Sequence, residues 1–384
     1  MRNDATRTTS PSTQSGSLNS NAWPDPNQAA TIDVMTPIGL VSLAITRLAD
    51  LFPLILLAAC GALLASPLAV WFCRRVGLMD VPGSAPHKTH ASPTPLAGGL
   101  VLACAVGFAY VLLQPAIDRQ VAGILLGGGI MLVWGLLDDR FSLPPYQKLA
   151  GQILATLVLV AFSVQVRITR FAWLDLTITA LWIIGLSNAF NFVDSMDGLA
   201  LGLGAIASAF FMLVTIDSAQ PVLAALAAAT LGAAVGAFFF SAPPARMFLG
   251  DAGAQLLGFL LAAVGIAYSP GRALLPQGVS WFTPILVLGV PIFDMTLVVV
   301  SRLRRRLPVH RAGHDHTYHR LLRLGLDSTR AVIAMQVVAI LLGLVAFIAL
   351  DATVLVANLV FAATVLVGIA AIVALELVPS MREA

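Results

Sequence analysis

The chain alternates between long apolar runs and short polar joints, and this alternation limits its fold more than any other feature. A bilayer core about 30 Å thick is crossed by roughly twenty helical residues. Because lipid offers the backbone no hydrogen-bond partners, each run that crosses it must be helical. Only 11% of the residues are charged, and so few charges cannot cover a water-facing surface of this size. The sequence therefore predicts an all-α polytopic membrane protein.

About eleven transmembrane helices are predicted from runs of roughly 17–23 residues. The predicted spans are 51–73, 97–115, 121–137, 149–166, 172–190, 199–216, 221–240, 253–268, 280–301, 331–350 and 353–375. Fifteen of the 22 Lys and Arg residues fall on one side of this arrangement. Because cytoplasmic joints carry the excess of positive charge, the N-terminus is predicted outside and the C-terminus in the cytoplasm.

Residues 1–36 are rich in Ser, Thr, Asn, Pro and Gln, and a disordered polar tail is predicted there. The remainder, 37–384, is predicted to form a single transmembrane domain whose partner is the lipid bilayer. Zinc-finger spacing and aromatic-basic interleaving are both missing from the sequence, so no nucleic-acid partner is predicted. The three cysteines lie in or beside apolar runs and are interpreted as small hydrophobic residues.

Carboxylates gather in the predicted cytoplasmic joints. Asp138 and Asp139 are adjacent at the end of a helix, where they repel each other and oppose the helix dipole. A bound cation, protonation of one carboxylate, or a basic neighbour such as Arg140 or Lys148 would relieve the repulsion. A solvated charged loop is the alternative. Asp294 instead lies inside a predicted span, where a charge usually faces a polar cavity, although a hydrogen bond to a neighbouring helix would also explain it.

The segment 188–197 carries two amides and two carboxylates at intervals of three residues. Either they wrap around a polar pocket, or the helix breaks near the Asp-Gly pair at 197–198. They are Asn188, Asn191, Asp194 and Asp197. The simpler alternative is a capping cluster that starts the next helix.

Asp251 follows a glycine where a new apolar helix starts. It can be an ordinary N-cap, or it can hold Mg²⁺ against a phosphate at the helix N-terminus. Further along, His316, His319 and Arg320 fall on one helical face and could clamp an anionic phosphate. Lys88 lies in a loop rich in Pro, Gly and Ser, which is either merely flexible or closes over a phosphate. Because these groups favour one membrane face, a single metal-dependent phosphoryl-transfer site drawn from several helices is predicted.

Six stretches of the sequence resemble one enzyme family. They are HKTHASPTPLAGG, LLDDRFSLPPYQKL, NAFNFVDSMDGLA, MFLGDAGAQLLGF, PIFDM and HDHTYHRLL, and they extend over about residues 75–325. In this order they resemble the polyprenyl-phosphate N-acetylhexosamine-1-phosphate transferases of the glycosyltransferase family 4 type. These enzymes begin lipid-linked cell-wall and O-antigen glycan synthesis. The predicted topology looks like that of the branch that uses UDP-GlcNAc.

The resemblance implies a reaction in which a polyprenyl phosphate, expected to be undecaprenyl phosphate, attacks the β-phosphorus of a UDP-N-acetylhexosamine. UMP leaves, and GlcNAc-1-phosphate is the expected transferred group. The implied cofactor is Mg²⁺, with Mn²⁺ as the alternative. The implied location is the bacterial inner membrane, with the active site on the cytoplasmic face and residues 37–384 as the phosphotransferase domain.

The same resemblance implies residue roles. Asn191 and Asp251 would be metal ligands. The implied catalytic residues, which would orient the lipid phosphate, accept its proton or line the nucleotide and metal pocket, are Asp138, Asp139, Asp194 and Asp197. The implied substrate-binding residues are Lys88, Asn188, Asp294, His316, His319 and Arg320.

Two positions depart from the family pattern: Tyr318 replaces a histidine, and Ala254 stands where serine is usual. The replacement at Tyr318 leaves open which sugar is transferred. Three other functions are alternatives: a muramoyl-pentapeptide phosphotransferase, a secondary transporter, and a scaffold that binds lipid diphosphates. Transporters usually place their site at the bilayer midplane between repeated halves, and this sequence shows neither feature. The oligomeric state is left open, with a homodimer as one alternative.

Overall fold

A computed structural model describes residues 37–82, 92–269, 281–308, 313 and 315–377. By its internal contacts the chain divides into a short unit, Met1–Leu43, and a large unit, Ala44–Ala384. Two predictions lie outside the described residues: the disordered tail over 1–36 and the phosphate-binding role of Lys88. The described part of the short unit is entirely helical.

Helices dominate the described ranges. They are α1 (Pro37–Val76), α2 (Gly98–Leu113), α3 (Arg119–Phe141), α4 (Pro145–Ala161), α5 (Ala172–Val193), α6 (Leu199–Asp217), α7 (Pro221–Ser241), α8 (Gly250–Ala267), α9 (Thr283–Val287), α10 (Gly289–Arg304), α11 (Thr317–Arg323), α12 (Ser328–Ala349) and α13 (Val354–Leu377). Two strands of two residues each, β1 (Met79–Asp80) and β2 (Thr94–Pro95), pair antiparallel.

The all-α prediction is confirmed, whereas the number of spans is confirmed only in part. Eight helices of the described chain are long and apolar enough to cross a membrane. Three predicted spans correspond to shorter helices: α2 has 16 residues, α4 has 17 and α10 has 16. The count of eleven and the orientation of the termini therefore stay predictions.

The predicted span 280–301 is not one continuous helix in the structure, because the chain turns at Leu288 between α9 and α10. Pro291 lies in the first turn of α10. A proline has no N–H to donate to the carbonyl four residues earlier, so it suits a helix start and interrupts a helix interior. The break moves the start of α10 to Gly289 and places Asp294 in its second turn.

Helix α8 lies at the centre of the bundle, and close approach at small residues lets α3 contact its start. A Cβ on Gly135 of α3 would lie only 2.3 Å from the Cα of Ala252 in α8, so only glycine fits there. Gly135 is one helical turn before Asp139. This contact therefore carries the carboxylates at the end of α3 to the N-terminus of α8.

The segment before α8 also joins the first polar joint. Phe248 donates its N–H to the carbonyl of Pro95 at 2.9 Å, and its own carbonyl accepts the N–H of Gly98 at 3.1 Å. A parallel bridge pairs Leu96 with Phe248. The end of β2 and the start of α2 are therefore fixed beside the first turn of α8.

Candidate active site

The ends of α3 and α5, the start of α8 and a lysine from α4 meet at one place in the structure. The Nζ of Lys148 lies 2.5 Å from an Oδ of Asp138 and 2.9 Å from an Oδ of Asp251. A short connection explains this contact: α3 ends at Phe141, and Pro145 starts α4 after only three residues. Lys148 therefore projects from the first turn of α4 toward the carboxylates that end α3.

Asp139 caps the start of α8 from outside that helix. Its two carboxylate oxygens accept the backbone N–H groups of Asp251 at 2.8 Å and of Ala252 at 3.1 Å. These N–H groups belong to the first turn, which has no partners within its own helix. Gly250 has φ +72°, and a Cβ there would lie 2.8 Å from Asp139, so glycine is required on both counts.

Asp138 has a different set of partners. One oxygen accepts the N–H of Leu143 at 2.9 Å, and the other faces Lys148. Its residue is 3% exposed, so the ammonium of Lys148 is the charge that offsets it. The repulsion between Asp138 and Asp139 is therefore offset by the ammonium of Lys148 and by the N-terminus of α8.

Helix α5, which carries the two asparagines, ends at Val193, and α6 starts at Leu199 after a turn at Gly198, which has φ +75°. This agrees with the predicted break near residues 197–198. Asp194 accepts a hydrogen bond from the Gly250 backbone, and Asp197 accepts the N–H of Ala245 at 3.3 Å. Neither carboxylate caps α6, whose N-cap is Gly198.

Asp194 lies among three other carboxylates. Burial, followed by the negative charges of Asp251, Asp139 and Asp197, raises the pKa of Asp194 well above its usual range. Excess negative charge in a small volume is a setting that favours a cation. A cation bound beside Asp194 would offset this negative charge.

The two asparagines of α5 lie at different depths. Asn191 lies next to the carboxylate of Asp251. Asn188, one turn earlier, exchanges hydrogen bonds with the amide of Gln152 at 3.1 and 3.2 Å, and Gln152 also contacts Gln255 at 3.3 Å. The structure thus brings Asn191 into contact with the acidic cluster and places Asn188 in a buried amide network beside it.

The donor chemistry of the cluster suits a magnesium ion that arrives with a substrate. Asp251 and Asn191 touch each other and both offer oxygen atoms. Mg²⁺ usually binds one or two carboxylates and completes its coordination with substrate phosphates and water. Within the described ranges, no three His, Cys, Asp or Glu side chains are already arranged to ligate a metal. These residues fit an ion shared with a diphosphate better than a closed protein cage.

Asp294 holds the start of the short histidine helix α11. One of its oxygens lies 2.9 Å from Nδ1 of His316, and the other accepts the N–H of Thr317 at 2.6 Å. The His316 ring lies edge-on to Phe192 at the end of α5, with ring centroids 5.7 Å apart. Asp294 therefore positions His316 beside the turn that carries Asp194.

The other two members of the predicted phosphate clamp, His319 and Arg320, contact different parts of the protein. His319 packs on Tyr318, with the tyrosine hydroxyl 2.6 Å from Nε2 of the imidazole. Tyr318 also hydrogen-bonds Ser195 of the acidic turn, and burial raises its pKa to about 12. Arg320 instead contacts four protein acceptors on other segments and is 4% exposed. The structure thus brings His316 and Tyr318, rather than Arg320, to the side of the acidic turn.

An apolar groove opens between α1, α2 and α3, and it is lined in part by residues near the end of α3. Its volume is about 320 Å³. The groove is lined by Phe72, Val76, Leu78, Leu100, Val133, Leu136, Leu137, Arg140 and Phe141. Arg140 is its one charged lining residue, and both Leu137 and Arg140 adjoin the Asp138–Asp139 pair in sequence. The groove suits a ligand with a long apolar tail and an anionic head.

Lys148 and Gln152 were not among the predicted site residues. Both lie on one face of α4, four residues apart, and their contacts reach α3, α5 and α8. The signal that could have found them is this i, i+4 polar pair at the start of an otherwise apolar run. Glu376 near the C-terminus was not predicted either, because it stands alone in an apolar run and carries no comparable local pattern.

Comparison with known proteins agrees with these features. The family model described as glycosyl transferase family 4 matches residues 121–269. The chain is 30% identical over 308 residues to the decaprenyl-phosphate N-acetylglucosaminephosphotransferase of Mycobacterium tuberculosis (strain H37Rv), covering 71% of this chain and 75% of the relative. It is 27% identical over 304 residues to a Bacillus subtilis protein named "probable undecaprenyl-phosphate N-acetylglucosaminyl 1-phosphate transferase", covering 76% and 83%.

A third relative is the undecaprenyl-phosphate alpha-N-acetylglucosaminyl 1-phosphate transferase of Escherichia coli K12. It is 26% identical over 294 residues, covering 72% of this chain and 77% of the relative. The residues matched by the family model include the ends of α3 and α5 and the start of α8, where the acidic cluster forms.

Proposed function

The chain belongs to glycosyl transferase family 4, and from this premise we propose that it transfers N-acetylglucosamine 1-phosphate from UDP-GlcNAc to undecaprenyl phosphate. UMP is the second product. The observation that carries the proposal is the convergence of Asp138, Asp251 and Lys148 from three helices, one of which, α3, also lines an apolar groove. Such a site can hold a charged diphosphate and a lipid headgroup together.

The protein is a multi-pass membrane protein, and the proposal places it in the bacterial plasma membrane with this site on the cytoplasmic face. UDP-sugars are soluble, so the site must meet water as well as lipid. The excess of Lys and Arg in the joints on the side of the cluster supports the cytoplasmic assignment. The product would serve as the lipid-linked first intermediate of a cell-wall or O-antigen polymer.

In the proposed reaction a phosphate oxygen of the lipid attacks the β-phosphorus of UDP-GlcNAc. The bond from that phosphorus to the bridging oxygen breaks, and the bridging oxygen leaves on UMP. Asp251 and Asn191 would hold Mg²⁺, which when bound neutralises negative charge on the diphosphate. Manganese is the alternative ion.

The two adjacent aspartates would take separate roles. Asp139 has both oxygens committed to the N-terminus of α8, so it would fix Asp251 in place. Asp138 follows the groove residue Leu137 in sequence and pairs with Lys148, and these two side chains would orient the lipid phosphate or accept its proton. His316, which packs against Phe192 just before the acidic turn, and its neighbour His319 would hold the sugar or its phosphate.

We expect that filling the groove weakens lipid binding selectively. Val133→Trp places a large ring among the groove residues, so the KM for undecaprenyl phosphate should rise about tenfold while the KM for UDP-GlcNAc changes less than twofold. A tenfold change corresponds to about 1.4 kcal/mol of binding free energy. Leu126→Trp is the matched control, because Leu126 is also an exposed apolar residue of α3 but does not line the groove.

Steady-state kinetics with each substrate varied in turn would measure both constants. An equal rise in the two KM values, or the same effect in Leu126→Trp, would contradict the assignment of the groove to the lipid tail.

The function itself is tested by UMP release from the purified protein in detergent or nanodiscs. UDP-GlcNAc, undecaprenyl phosphate and Mg²⁺ together should yield UMP and a lipid diphosphate sugar, and omission of the lipid or addition of EDTA should stop both. UDP-GalNAc and UDP-MurNAc-pentapeptide test the sugar. Turnover of the pentapeptide substrate alone would make the protein a muramoyl-pentapeptide phosphotransferase. Uptake into proteoliposomes without UMP release would make it a transporter.

A further inference from the structure

The C-terminal helix α13 has little attachment to the bundle along most of its length. Only two of its residues, Ala357 and Glu376, are buried. Near its start, Phe361 stacks on Phe282 and packs against Trp281, with centroid distances of 4.9 and 5.1 Å. Near its end, Glu376 is the only buried charged residue of α13. The helix is therefore held mainly at two points, one aromatic and one ionic.

Glu376 joins two arginines from different segments. One carboxylate oxygen contacts Nη2 of Arg320 in the histidine helix, and the other lies 3.2 Å from Nη1 of Arg304 at the end of α10. The neighbouring carbonyl of Leu375 accepts a second hydrogen bond from Arg320 at 2.8 Å. A carboxylate in an otherwise apolar helix carries a large desolvation cost, so its pairing points to a specific role.

Arg320 connects Glu376 to the segment that leads into the active site. Its Nη2 also contacts Ser301 at 2.9 Å, and its Nε donates to the carbonyl of Asp315 at 3.2 Å. Asp315 directly precedes His316, whose ring is held by Asp294. Burial alone would raise the pKa of Asp315, but ion pairs with Arg305 and Arg302 hold it below its usual range. The segment that leads into the histidine helix is thus fixed on both sides.

We propose that Glu376 is a positioning residue, which holds the histidine helix α11 against the acidic turn through Arg320. The role of the histidines in substrate binding rests on the proposed function, whereas the mechanical link does not. Without the carboxylate, Arg320 keeps a buried charge with no anionic partner and must move toward water. The N-terminal end of α11 would then lose its fixed distance from Asp194.

Glu376→Gln and Glu376→Ala test the proposal, with Phe361→Ala as the control that loosens the same helix at its other attachment. We expect amide hydrogen exchange in Thr317–Arg323 to become at least about tenfold faster in both Glu376 variants and to stay unchanged in Phe361→Ala. In kinetics, the KM for UDP-GlcNAc should rise about tenfold with kcat changed less than threefold. Glu376→Asp, which keeps the charge, should restore part of both properties.

Hydrogen exchange tests the positioning role of Glu376, and UMP release tests the proposed function, so the two can fail independently. If wild-type protein released no UMP from UDP-GlcNAc, the proposed function would fail while the exchange result still tested the link. Unchanged exchange in α11 after Glu376→Ala would overturn the positioning role, as would equal acceleration in Phe361→Ala. Arg320→Ala combined with Glu376→Ala should slow catalysis no more than Arg320→Ala alone, and additive losses would also contradict the proposal.

Discussion

Replacing Lys148 with methionine is expected to lower the rate of UMP release about 10²- to 10³-fold, a range typical of removing one preorganised electrostatic partner. Methionine keeps most of the length of the side chain and removes the ammonium that lies between Asp138 and Asp251. The cluster would then keep its carboxylates without that internal cation, and the lipid phosphate would meet unrelieved negative charge. UMP release at saturating substrates measures the effect.

The matched control for this variant is Arg330→Met. Arg330 is a largely exposed cation paired with Asp327 at 3.2 Å, and exposed pairs contribute little to stability or function. Size-exclusion profiles and thermal unfolding would show that both variants fold. Wild-type activity in Lys148→Met would mean that the ammonium contacts are structural and that the lipid phosphate is bound elsewhere.

Most of the fold could be predicted because apolar runs and helix length are tied together in a bilayer. The run 172–190 becomes Ala172–Val193, and 199–216 becomes Leu199–Asp217. The predicted and observed helices differ where the apolar run does not determine where a helix ends. The apolar run continues across Leu288, although the helix breaks there. Conversely, the run is interrupted at Arg47 and Asp50, although α1 continues through both residues.

The convergence of carboxylates was also predictable from sequence, since residues at helix ends on one side of a membrane share a thin layer of space. Which side chains contact each other within that layer could not be predicted. Lys148 and Asp251 are 103 residues apart, and Arg320 and Glu376 are 56 apart. Residues so far apart in sequence leave no local pattern that would predict their contact, because the contact depends on how whole helices pack. The spacing of His316 and Arg320 predicted a shared face, but His316 precedes the helix with extended backbone.

The structure gives Asp139 and Asp251 different kinds of partner. Asp139 accepts two backbone N–H groups, so replacing it with asparagine would turn one acceptor into a donor that faces another donor. Asp251 makes its contacts to Lys148 and Asn191 through its side chain alone. Loss of Asp139 should therefore disturb the start of α8, whereas loss of Asp251 should leave the helix in place.

Asp251→Ala is accordingly expected to abolish UMP release, with a fall of at least about 10³-fold, while the protein still folds. The physical reason is the proposed metal role: without this carboxylate, Mg²⁺ would lose its charged protein ligand and the diphosphate its neutralising ion. Binding of UDP-GlcNAc, followed by calorimetry with and without Mg²⁺, should lose its dependence on magnesium. Asp139→Asn should instead lower the midpoint of thermal unfolding and keep part of that dependence.

Asp118→Asn is the control for Asp251→Ala. Asp118 is also an aspartate at a helix start, where it accepts the N–H of Val121 at 2.8 Å, but it lies at the other end of α3. Asparagine caps helices about as well as aspartate, so activity and magnesium dependence should both stay at wild-type levels. If Asp251→Ala kept full activity, or if its nucleotide binding still strengthened with Mg²⁺, the ion would have to be held without Asp251. The proposed assignment of Asp251 and Asn191 as its ligands would then be wrong.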